Sequence, residues 1–452
     1  MLIPAFNDKR LPRLREAANP ERMLPAFRSY FKQTYPDRSE QLTDCFIDQI
    51  RYKPGRYSRY LYRLRVDNVD QWFIGQLPVQ GKEPSVKKRQ AWDELPLNGV
   101  WRALAFWDDF GMQLQTFPYD KNLTQVPALL DPKVVCSLAQ AQAESFGLTD
   151  VWTCEDAVIQ QVKYMPSKRC VLRYDFDWRG PAGERKQTAV YSKTYGKGDG
   201  KTVYETLHAL WQQTADGFVI PKPIAYFDDT NTSWQAAWPG QDYTDIIRAG
   251  DWESYLPDIA KRLAALHQQQ LDGLAKNDEV SLTAVLENAH DQEEDVNDFF
   301  DAPRPELRQI VADLEARYPA LAAQAVPQTL VHGTFKISQI MVNGDEIALV
   351  DFDSVTVGDP WYDVAEFISS LVTLEAKHDI PAAKIVAGIK TFLNTYTAEV
   401  SWPCDLERIR WYATAFIAAR LHSLLKGLKI QTEAEFVAAL DCLHTLLPLA
   451  LT

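Results

Sequence analysis

The chain has 452 residues, of which 46% are hydrophobic and 24% charged, a balance typical of a folded protein with more than one packed unit. The formal net charge of −13 argues against a broad nucleic-acid surface, since such a surface needs clustered Lys and Arg. The six cysteines form no CxxC pair, so we expect no zinc site. Because no run of about 20 apolar residues occurs, we also expect no membrane span. Because the first residues carry charges where a signal peptide needs an apolar run, the sequence predicts a cytoplasmic protein.

Residues 1–130 contain strand-like runs that are repeated later in the chain. Residues 48–54 resemble residues 160–166, and residues 105–109 resemble residues 225–229. The pattern predicts two similar strand-rich units in tandem, although any two hairpins share some of these features. In the first unit, Gln76 falls where the second unit has a lysine.

The middle of the chain predicts a three-stranded meander followed by a helix at 201–213. Its strands are β-branched and aromatic runs separated by turn residues, at 158–164, 170–178 and 188–195. After Gly240 the apolar spacing becomes helical, as at residues 259–267, 406–428 and 433–447. We therefore predict an α+β protein with an N-terminal cap unit at 1–130, a β-rich unit at 131–240 and a helical unit at 241–452.

The segment from 330 to 363 is the richest in special chemistry. It reads LVHGTFKISQIMV at 330–342, IALVDFD at 347–353 and GDPWYD at 358–363. This pattern predicts a loop, a short strand, a turn and a second strand that ends in carboxylates, which places Asp351 beside the loop at 332–339. Carboxylates and an amide gathered at one point suit Mg²⁺, which prefers hard oxygen ligands and shares them with phosphates.

The order and spacing of these motifs resemble the catalytic core of the aminoglycoside phosphotransferase, choline kinase and maltokinase superfamily. Its members usually read His-Gly-Asp-x-x-x-x-Asn, then Asp-Phe/Trp, then Gly-Asp-Pro-x-x-Asp. The resemblance implies a bilobal protein-kinase-like fold, with a β-rich small lobe and a helical large lobe, preceded here by an extra unit resembling the small lobe. It also implies that the protein binds ATP and Mg²⁺.

The resemblance assigns residues around the phosphates of the nucleotide. It implies that Asp351 and Gln339 bind Mg²⁺. Asp353 either joins the metal ligands or is a capping or solvent-facing aspartate. Asp363, from the following helix, would bond the backbone of the catalytic loop.

Upstream residues resemble the nucleotide-binding side of such a site. Lys193, in AVYSK, would pair with the phosphates, and Glu205 on the next helix would hold that lysine in place. The turn before the second strand lacks a GxGxxG pattern, so contacts to the phosphates there would come from Lys168 and Arg169. Trp238 lies in the stretch that resembles the hinge that reads adenine.

The catalytic loop departs from the family pattern at the base. Thr334 stands where the family has the aspartate that accepts the proton of the substrate hydroxyl, two residues after His332. Threonine cannot act as a base near pH 7, and general base catalysis contributes about 10²–10⁴-fold in rate. Lys336 lies where protein kinases often keep a lysine that faces the γ-phosphate, so it can still neutralise the charge of the transferring group.

Two functions therefore stay open. The first is a phosphotransferase that moves the γ-phosphoryl of ATP to a hydroxyl of a sugar, an aminoglycoside or a similar small molecule. The second is a pseudokinase that binds a nucleotide or another ligand and regulates or scaffolds, with its N-terminal unit available to a protein partner. Both predict nucleotide and small-molecule ligands and exclude nucleic acid and membrane as partners.

Overall fold

The computed structural model describes residues 1–198, 200–213, 219–271, 273–274, 276–374 and 380–451, and for residues 442–444 only the backbone. The chain divides into two units. Unit 1 consists of Met1–Pro127, Gln292–Pro305 and Arg420–Ala438, and unit 2 of Ala128–Asp291, Glu306–Ala419 and Ala439–Thr452. The domain boundaries expected from the sequence stay a prediction, whereas the α+β class is confirmed by antiparallel sheets and helices along the chain. None of the helices within the described ranges is long and apolar enough to cross a membrane.

The part of the chain before residue 128 alternates short helices with one five-stranded sheet. Its helices are α1 (Leu14–Ala17), α2 (Pro20–Thr34), α3 (Pro36–Ser39) and α4 (Val86–Asp93). Its strands are β1 (Leu42–Lys53), β2 (Tyr57–Val66), β3 (Val69–Pro78), β4 (Leu104–Trp107) and β5 (Met112–Thr116).

Aromatic side chains between α2 and the sheet form the core of unit 1. The Phe27 ring lies 5.0 Å from that of Tyr62 and 5.3 Å from that of Trp107, and all three are buried. The hydroxyl groups of β2 stay satisfied, because Tyr60 donates to Leu14 O at 2.9 Å and Tyr62 to Ala17 O at 2.7 Å. Large aromatic surfaces with their polar ends bonded therefore fix α1 and α2 on this sheet.

The second five-stranded sheet belongs to unit 2. A helix, α5 (Pro132–Gln140), precedes the strands β6 (Thr153–Met165), β7 (Arg169–Arg179) and β8 (Arg185–Tyr195). After them come α6 (Gly200–Gln213), β9 (Pro223–Phe227) and β10 (Thr232–Ala236). The side chains of β7 alternate between buried and half-buried, as expected for a strand with one face in a core. The meander and the helix predicted from the sequence are confirmed.

The two sheets have the same strand order and a matching register. One runs β1-β2-β3-β5-β4 and the other β6-β7-β8-β10-β9, each with a helix between its third and fourth strands. Gln76 lies opposite Gln113 of β5, and Lys193 lies opposite Ser233 of β10. The first residue of β2, Tyr57, pairs with Pro78, which is two residues after Gln76. In the same way the first residue of β7, Arg169, pairs with Tyr195, which is two residues after Lys193. The repeat predicted from the sequence is confirmed, with Gln76 at the place of Lys193.

The rest of the chain is mainly helical and carries two small sheets. After β11 (Gln241–Asp242) come the helices α7 (Tyr243–Ala249), α8 (Leu256–His267), α9 (Leu282–Asn297) and α10 (Pro305–Ala322). The strands β12 (Thr329–Val331), β13 (Ile340–Asn343), β14 (Glu346–Leu349) and β15 (Thr356–Gly358) follow. The last helices are α11 (Pro360–Val372), α12 (Ala382–Glu399), α13 (Leu406–Lys426) and α14 (Glu433–Ala450). Pairing of β11 with β13 and of β13 with β14 makes one small sheet, and β12 with β15 makes the other.

A buried ion pair fixes the start of α11. Asp359 caps this helix by accepting a hydrogen bond from the Trp361 N–H at 3.0 Å, and its other oxygen lies 2.9 Å from Nη1 of Arg408. Burial raises the pKa of Asp359, although the Arg408 guanidinium opposes this effect. The bonds from Arg408 link α13 to the beginning of α11, the helix that supports the candidate site.

Candidate functional site

The backbone of the loop that follows β12 is held by one buried carboxylate. Asp363, on the first turn of α11, accepts hydrogen bonds from the His332 N–H at 2.6 Å and the Gly333 N–H at 2.9 Å. Nε2 of His267, on α8, lies 3.1 Å from the same carboxylate. The structure thus gives Asp363 the supporting role that the family resemblance implied.

Gly333 is required by the shape of this loop. Its φ is +78°, and a Cβ at this position would lie 2.3 Å from the carbonyl oxygen of Ser354. A side chain here would meet backbone and would also adopt an unfavourable left-handed conformation. Only glycine fits this position, and its backbone conformation sets the placement of its two neighbours, His332 and Thr334.

His332 is neutral and accepts a hydrogen bond on the side of Thr334. Its Nε2 lies 3.0 Å from the carbonyl oxygen of Val350, which can only accept, so Nε2 carries the proton. Burial lowers the pKa of His332, and the charge of Lys336 acts in the same direction. Nδ1 is then the acceptor, and the Thr334 hydroxyl donates to it at 3.4 Å. The residue at the base position is thus a hydroxyl bonded to a buried neutral imidazole.

Hydrogen bonds between the loop and the β13–β14 hairpin place Gln339 and Asp351 on the same part of the fold. Gln339 is buried, and its Oε1 accepts a hydrogen bond from the Ser338 hydroxyl at 3.2 Å. Its backbone carbonyl accepts from the Val350 N–H at 3.0 Å. Asp351 follows at once with a φ of +71°, a left-handed conformation that is uncommon for a residue with a side chain. Such a backbone outlier among clustered polar residues points to a functional position.

Lys193 of β8 contacts the carboxylates of both Asp351 and Asp353. Its Nζ lies 2.8 Å from Oδ1 of Asp353 and also bonds to Oδ1 of Asp351. Although burial alone would lower it, the two carboxylates hold the pKa of Lys193 well above its usual value. Burial would raise the pKa of Asp351, but the Lys193 ammonium holds it well below its usual range. The Lys193 ammonium and the Asp351 carboxylate are therefore charged at neutral pH.

Arg169, the first residue of β7, adds a second cation to this group. Its Nη1 bonds to Oδ2 of Asp353 and lies 3.7 Å from Oδ1 of Asp351. The turn before it is closed by the Lys168 N–H, which donates to Met165 O at 2.9 Å, while the Lys168 side chain is exposed. Of the two cations predicted to contact phosphate from this turn, Arg169 lies within the cluster and Lys168 is at the surface.

Two other predicted residues are placed differently. Glu205 is exposed on α6, and within the described ranges Lys193 forms its ion pairs with Asp351 and Asp353 and none with Glu205. Trp238 follows β10, the last strand of the unit 2 sheet, and the N–H of the neighbouring Ala237 donates to Ala189 O at 2.9 Å. Its indole N–H is buried and has no hydrogen-bond partner among the described residues.

The structure therefore brings together most of the residues predicted from the sequence. One ion cluster contains Arg169, Lys193, Asp351 and Asp353. Two hydrogen bonds to Val350, one from the His332 side chain and one to the Gln339 carbonyl, join the loop at 332–339, which also carries Thr334 and Lys336, to the strand end that leads to Asp351. The pairing of Arg169 with Asp353 was not predicted. The register of the meander could have indicated that Arg169 lies near Lys193, because Arg169 pairs with Tyr195, two residues after Lys193, on the neighbouring strand.

The oxygen donors of the cluster fit a Mg²⁺ ion. Only Oδ1 of Asp351 is bonded within the described ranges, so Oδ2 remains available, and Gln339 adds an amide oxygen. No group of three or more His, Cys, Asp or Glu residues that could hold a metal occurs in the part of the chain that the structure describes. Proteins usually bind Mg²⁺ through one or two carboxylates together with substrate phosphates.

Comparison with known families supports the same interpretation. Residues 196–390 match the model of the phosphotransferase enzyme family. The resemblance inferred from the motifs is confirmed. The matched segment contains Glu205, the loop at 332–339, Asp351 and Asp363, whereas Arg169 and Lys193 precede it.

The solved structures to which the chain is similar are distant in sequence. A choline/ethanolamine kinase family protein from Mesorhizobium loti is 14% identical, with a TM-score of 0.43 over 65% of this chain and 91% of that one. A thermostable mutant of the aminoglycoside phosphotransferase APH(4)-Ia is 15% identical, with a TM-score of 0.44 over 68% and 96%. The amicoumacin kinase hAmiN, solved with AMP-PNP, Ca²⁺ and Ami, is 13% identical, with a TM-score of 0.42 over 72% and 96%. No match was found among curated proteins.

Proposed function

We propose that this protein binds Mg-ATP between Lys193 and Asp351 and transfers its γ-phosphoryl group to a hydroxyl of a small molecule. The observation that carries the proposal is the contact between the Lys193 ammonium and the Asp351 carboxylate, which come from parts of the chain 158 residues apart. In a kinase-like site these two charges flank the phosphates, one as a direct partner and the other through the metal. The family match around Asp351 supports the same proposal.

The residues of the chain divide the work at the phosphates. Lys193 and Arg169 supply two positive charges beside the candidate metal ligands, and Lys336 supplies a third on the catalytic loop. Asp351 and Gln339 would hold the Mg²⁺ ion, which when bound neutralises phosphate charge. Because phosphoryl transfer has a loose transition state, positioning and neutralisation supply most of the rate enhancement.

Proton transfer is the step for which the site is least equipped. The Thr334 hydroxyl donates to His332, so the threonine oxygen keeps its lone pairs and can accept a hydrogen bond from the hydroxyl of an acceptor. This orients the acceptor and removes no proton. We expect turnover to be slow compared with a site that has a carboxylate at this position.

A second candidate function follows from the same residue. With Thr334 at the base position, the protein would be a pseudokinase that binds Mg-nucleotide and acts as a regulator or a scaffold. The retained Lys193, Asp351 and Gln339 favour nucleotide binding under both functions. A cytoplasmic location, the acceptor molecule and a protein partner for unit 1 stay predictions.

One experiment separates the two functions. The protein is incubated with Mg-ATP and a set of hydroxylated small molecules, while ADP release and the melting temperature are recorded. Turnover that disappears in Asp351→Ala supports the phosphotransferase, and stabilisation by Mg-ATP without turnover supports the pseudokinase. The absence of both stabilisation and turnover would overturn the proposal.

A variant tests whether the base alone is missing. Thr334→Asp restores the carboxylate that the family has at this position, and we expect it to raise turnover by up to about 10²–10⁴-fold. Thr334→Ser, which keeps the hydroxyl that donates to His332, is the matched control and should leave the rate nearly unchanged. Equal rates for the Asp and Ser variants would show that the missing carboxylate does not limit the reaction.

A further inference from the structure

Asp353 is the one carboxylate of the cluster whose two oxygens are both occupied. Oδ1 accepts from the Lys193 ammonium at 2.8 Å, and Oδ2 accepts from the Arg169 guanidinium. At Asp351, by contrast, both cations approach the same oxygen, Oδ1. The two aspartates, two residues apart in sequence, are therefore engaged in different ways.

We propose that Asp353, and not Glu205, is the residue that positions Lys193 for the nucleotide, an inference that rests on the proposed function. Asp353 is then a positioning residue, and Asp351 is the carboxylate that remains available to a metal ion. The proposal revises both roles that the family resemblance implied, in which Glu205 held the lysine and Asp353 was a candidate metal ligand.

The burial of Lys193 explains why it needs such a partner. Its side chain is only 13% exposed and that of Asp353 only 19%, so little water is available to solvate either charge. A buried ammonium requires a close anion, and leaving it unpaired is strongly unfavourable. Because Lys193 is also bonded to Asp353, its bond to Asp351 can be lost when phosphate and metal bind, and the ammonium would still be paired with one carboxylate.

Glu205 lies on the exposed side of α6 and does not take this role in the observed structure. The helix turns Thr206, Leu207 and Leu210 inward, and Glu205 is exposed. Tyr204 stacks against Tyr226 of β9 with ring centroids 6.1 Å apart, which fixes the rotation of the helix. In the observed structure Asp353, and not Glu205, makes the bond to Lys193.

The Asp353 carboxylate also binds Arg169. Because Oδ2 of Asp353 bonds to Arg169, one aspartate links the end of the β6–β7 turn with the lysine on β8. The turn is also joined to the end of β8 by the Gly196 N–H, which donates to Lys168 O at 2.8 Å. Asp353 therefore holds two cations in fixed positions on the side of the site where the proposed function places the phosphates.

Nucleotide binding with and without Mg²⁺ distinguishes a positioning residue from a metal ligand. The probe is a fluorescent ATP analogue, titrated into the wild-type protein, Asp353→Asn and Glu205→Gln, each in EDTA and in excess Mg²⁺. We expect Asp353→Asn to weaken binding about 10- to 100-fold by the same factor in both conditions, since it loses a hydrogen bond to a charged group. Glu205→Gln should change affinity less than about twofold.

Two further variants separate the loss of negative charge at Asp353 from the loss of a metal ligand at Asp351. Asp353→Glu keeps the negative charge and should recover part of the affinity, while Asp351→Asn should weaken binding mainly in Mg²⁺. If Asp353→Asn weakens binding only in Mg²⁺, Asp353 is a metal ligand and the inference is wrong. A larger loss in Glu205→Gln than in Asp353→Asn would overturn it as well.

A measurement without nucleotide keeps the inference separate from the proposed function. If the wild-type protein binds no analogue in either condition, the proposed function fails, and thermal melting then decides whether Asp353 anchors the lysine. The melting temperatures of Lys193→Met and Asp353→Asn should combine non-additively, because each variant removes one half of the same pair. Additive effects for this pair, or coupling of Lys193→Met with Glu205→Gln, would contradict the anchor role.

Discussion

Among single residues, Gly333 and Asp351 occupy backbone conformations that most side chains avoid. Gly333 has a φ of +78° beside the carbonyl oxygen of Ser354, and Asp351 has a φ of +71° at the start of the carboxylate pair. The glycine could be predicted from the His-Gly motif. The left-handed Asp351 could not, because residues of this type adopt such a conformation only when the surrounding structure imposes it.

A substitution at Gly333 tests how strictly the loop depends on this backbone. Gly333→Ala should lower the free energy of unfolding by at least about 3 kcal/mol, since the new Cβ meets backbone as well as a left-handed φ. The matched control is Gly344→Ala, with a φ of +59° in open space, which should cost about 1 kcal/mol. Urea unfolding of both variants gives the comparison, and equal costs would show that the loop can relax around a side chain.

The ion cluster shows which residue roles a sequence can predict. The identities of Lys193 and Asp351 followed from motif order, because each belongs to a short pattern with a fixed place in the chain. The motifs also placed Lys193 and Asp351 at the same phosphates, but the pairing of Lys193 with Asp353 did not follow from them. Which of Glu205, Asp351 and Asp353 meets the lysine depends on the rotation of α6 and on the distance between the sheet and the hairpin, and neither is encoded locally.

Among the elements, the strands of the unit 2 sheet and the helix α6 were predictable, whereas the segments that make up unit 1 were not. The meander at 153–195 and the helix α6 appear in the sequence as alternation, turn residues and helical spacing. The repeat even gave the right register, with Gln76 at the place of Lys193. The inclusion of Gln292–Pro305 and Arg420–Ala438 in unit 1 was not predicted, since long-range association leaves no local pattern.

The link between α11 and the loop at 332–339 can be tested at Asp363. Asp363→Asn leaves an amide group facing two backbone N–H donors, so at least one of them loses its acceptor. We expect the variant to lower the free energy of unfolding by roughly 2–4 kcal/mol. Hydrogen exchange of the peptide that contains His332 and Gly333 should also become faster, because both amides bond to this carboxylate.

The control for this prediction is an exposed aspartate on another helix. Asp258 lies on α8 and pairs with Lys261 at 3.1 Å in an exposed ion pair, so Asp258→Asn should change stability by less than about 1 kcal/mol. Unchanged exchange at residues 332 and 333 in Asp363→Asn would contradict the supporting role of Asp363.

At the scale of the whole molecule, we expect a cluster of charged residues around Asp295 in unit 1 to make stability depend on pH. Asp295 lies 2.8 Å from Nζ of Lys53, 3.2 Å from Nζ of Lys426 and 3.2 Å from Nε2 of His422. These residues come from the three segments that make up unit 1. Burial, with the neighbouring Lys426 charge, lowers the pKa of His422 to about 4, although Asp295 opposes the shift.

The sign of the effect follows from proton uptake. Between the pKa of an unfolded histidine, about 6.5, and the folded value of about 4, the unfolded chain binds more protons at His422, so stability falls as pH falls through this window. His422→Gln should make the melting temperature less dependent on pH between these values. His332, whose pKa burial also lowers, would keep part of the dependence. An unchanged pH profile in His422→Gln would contradict this account.

The central claim is that Lys193 and Asp351 together bind the phosphates of a nucleotide. Its most direct test is calorimetric titration of a non-hydrolysable ATP analogue with Mg²⁺ into the wild-type protein and Lys193→Met, each first shown to be folded by its melting curve. We predict one saturable site in the wild-type protein and a loss of affinity of at least about tenfold in the variant. Equal affinity in the two proteins, or no binding by a folded wild-type protein, would contradict the claim.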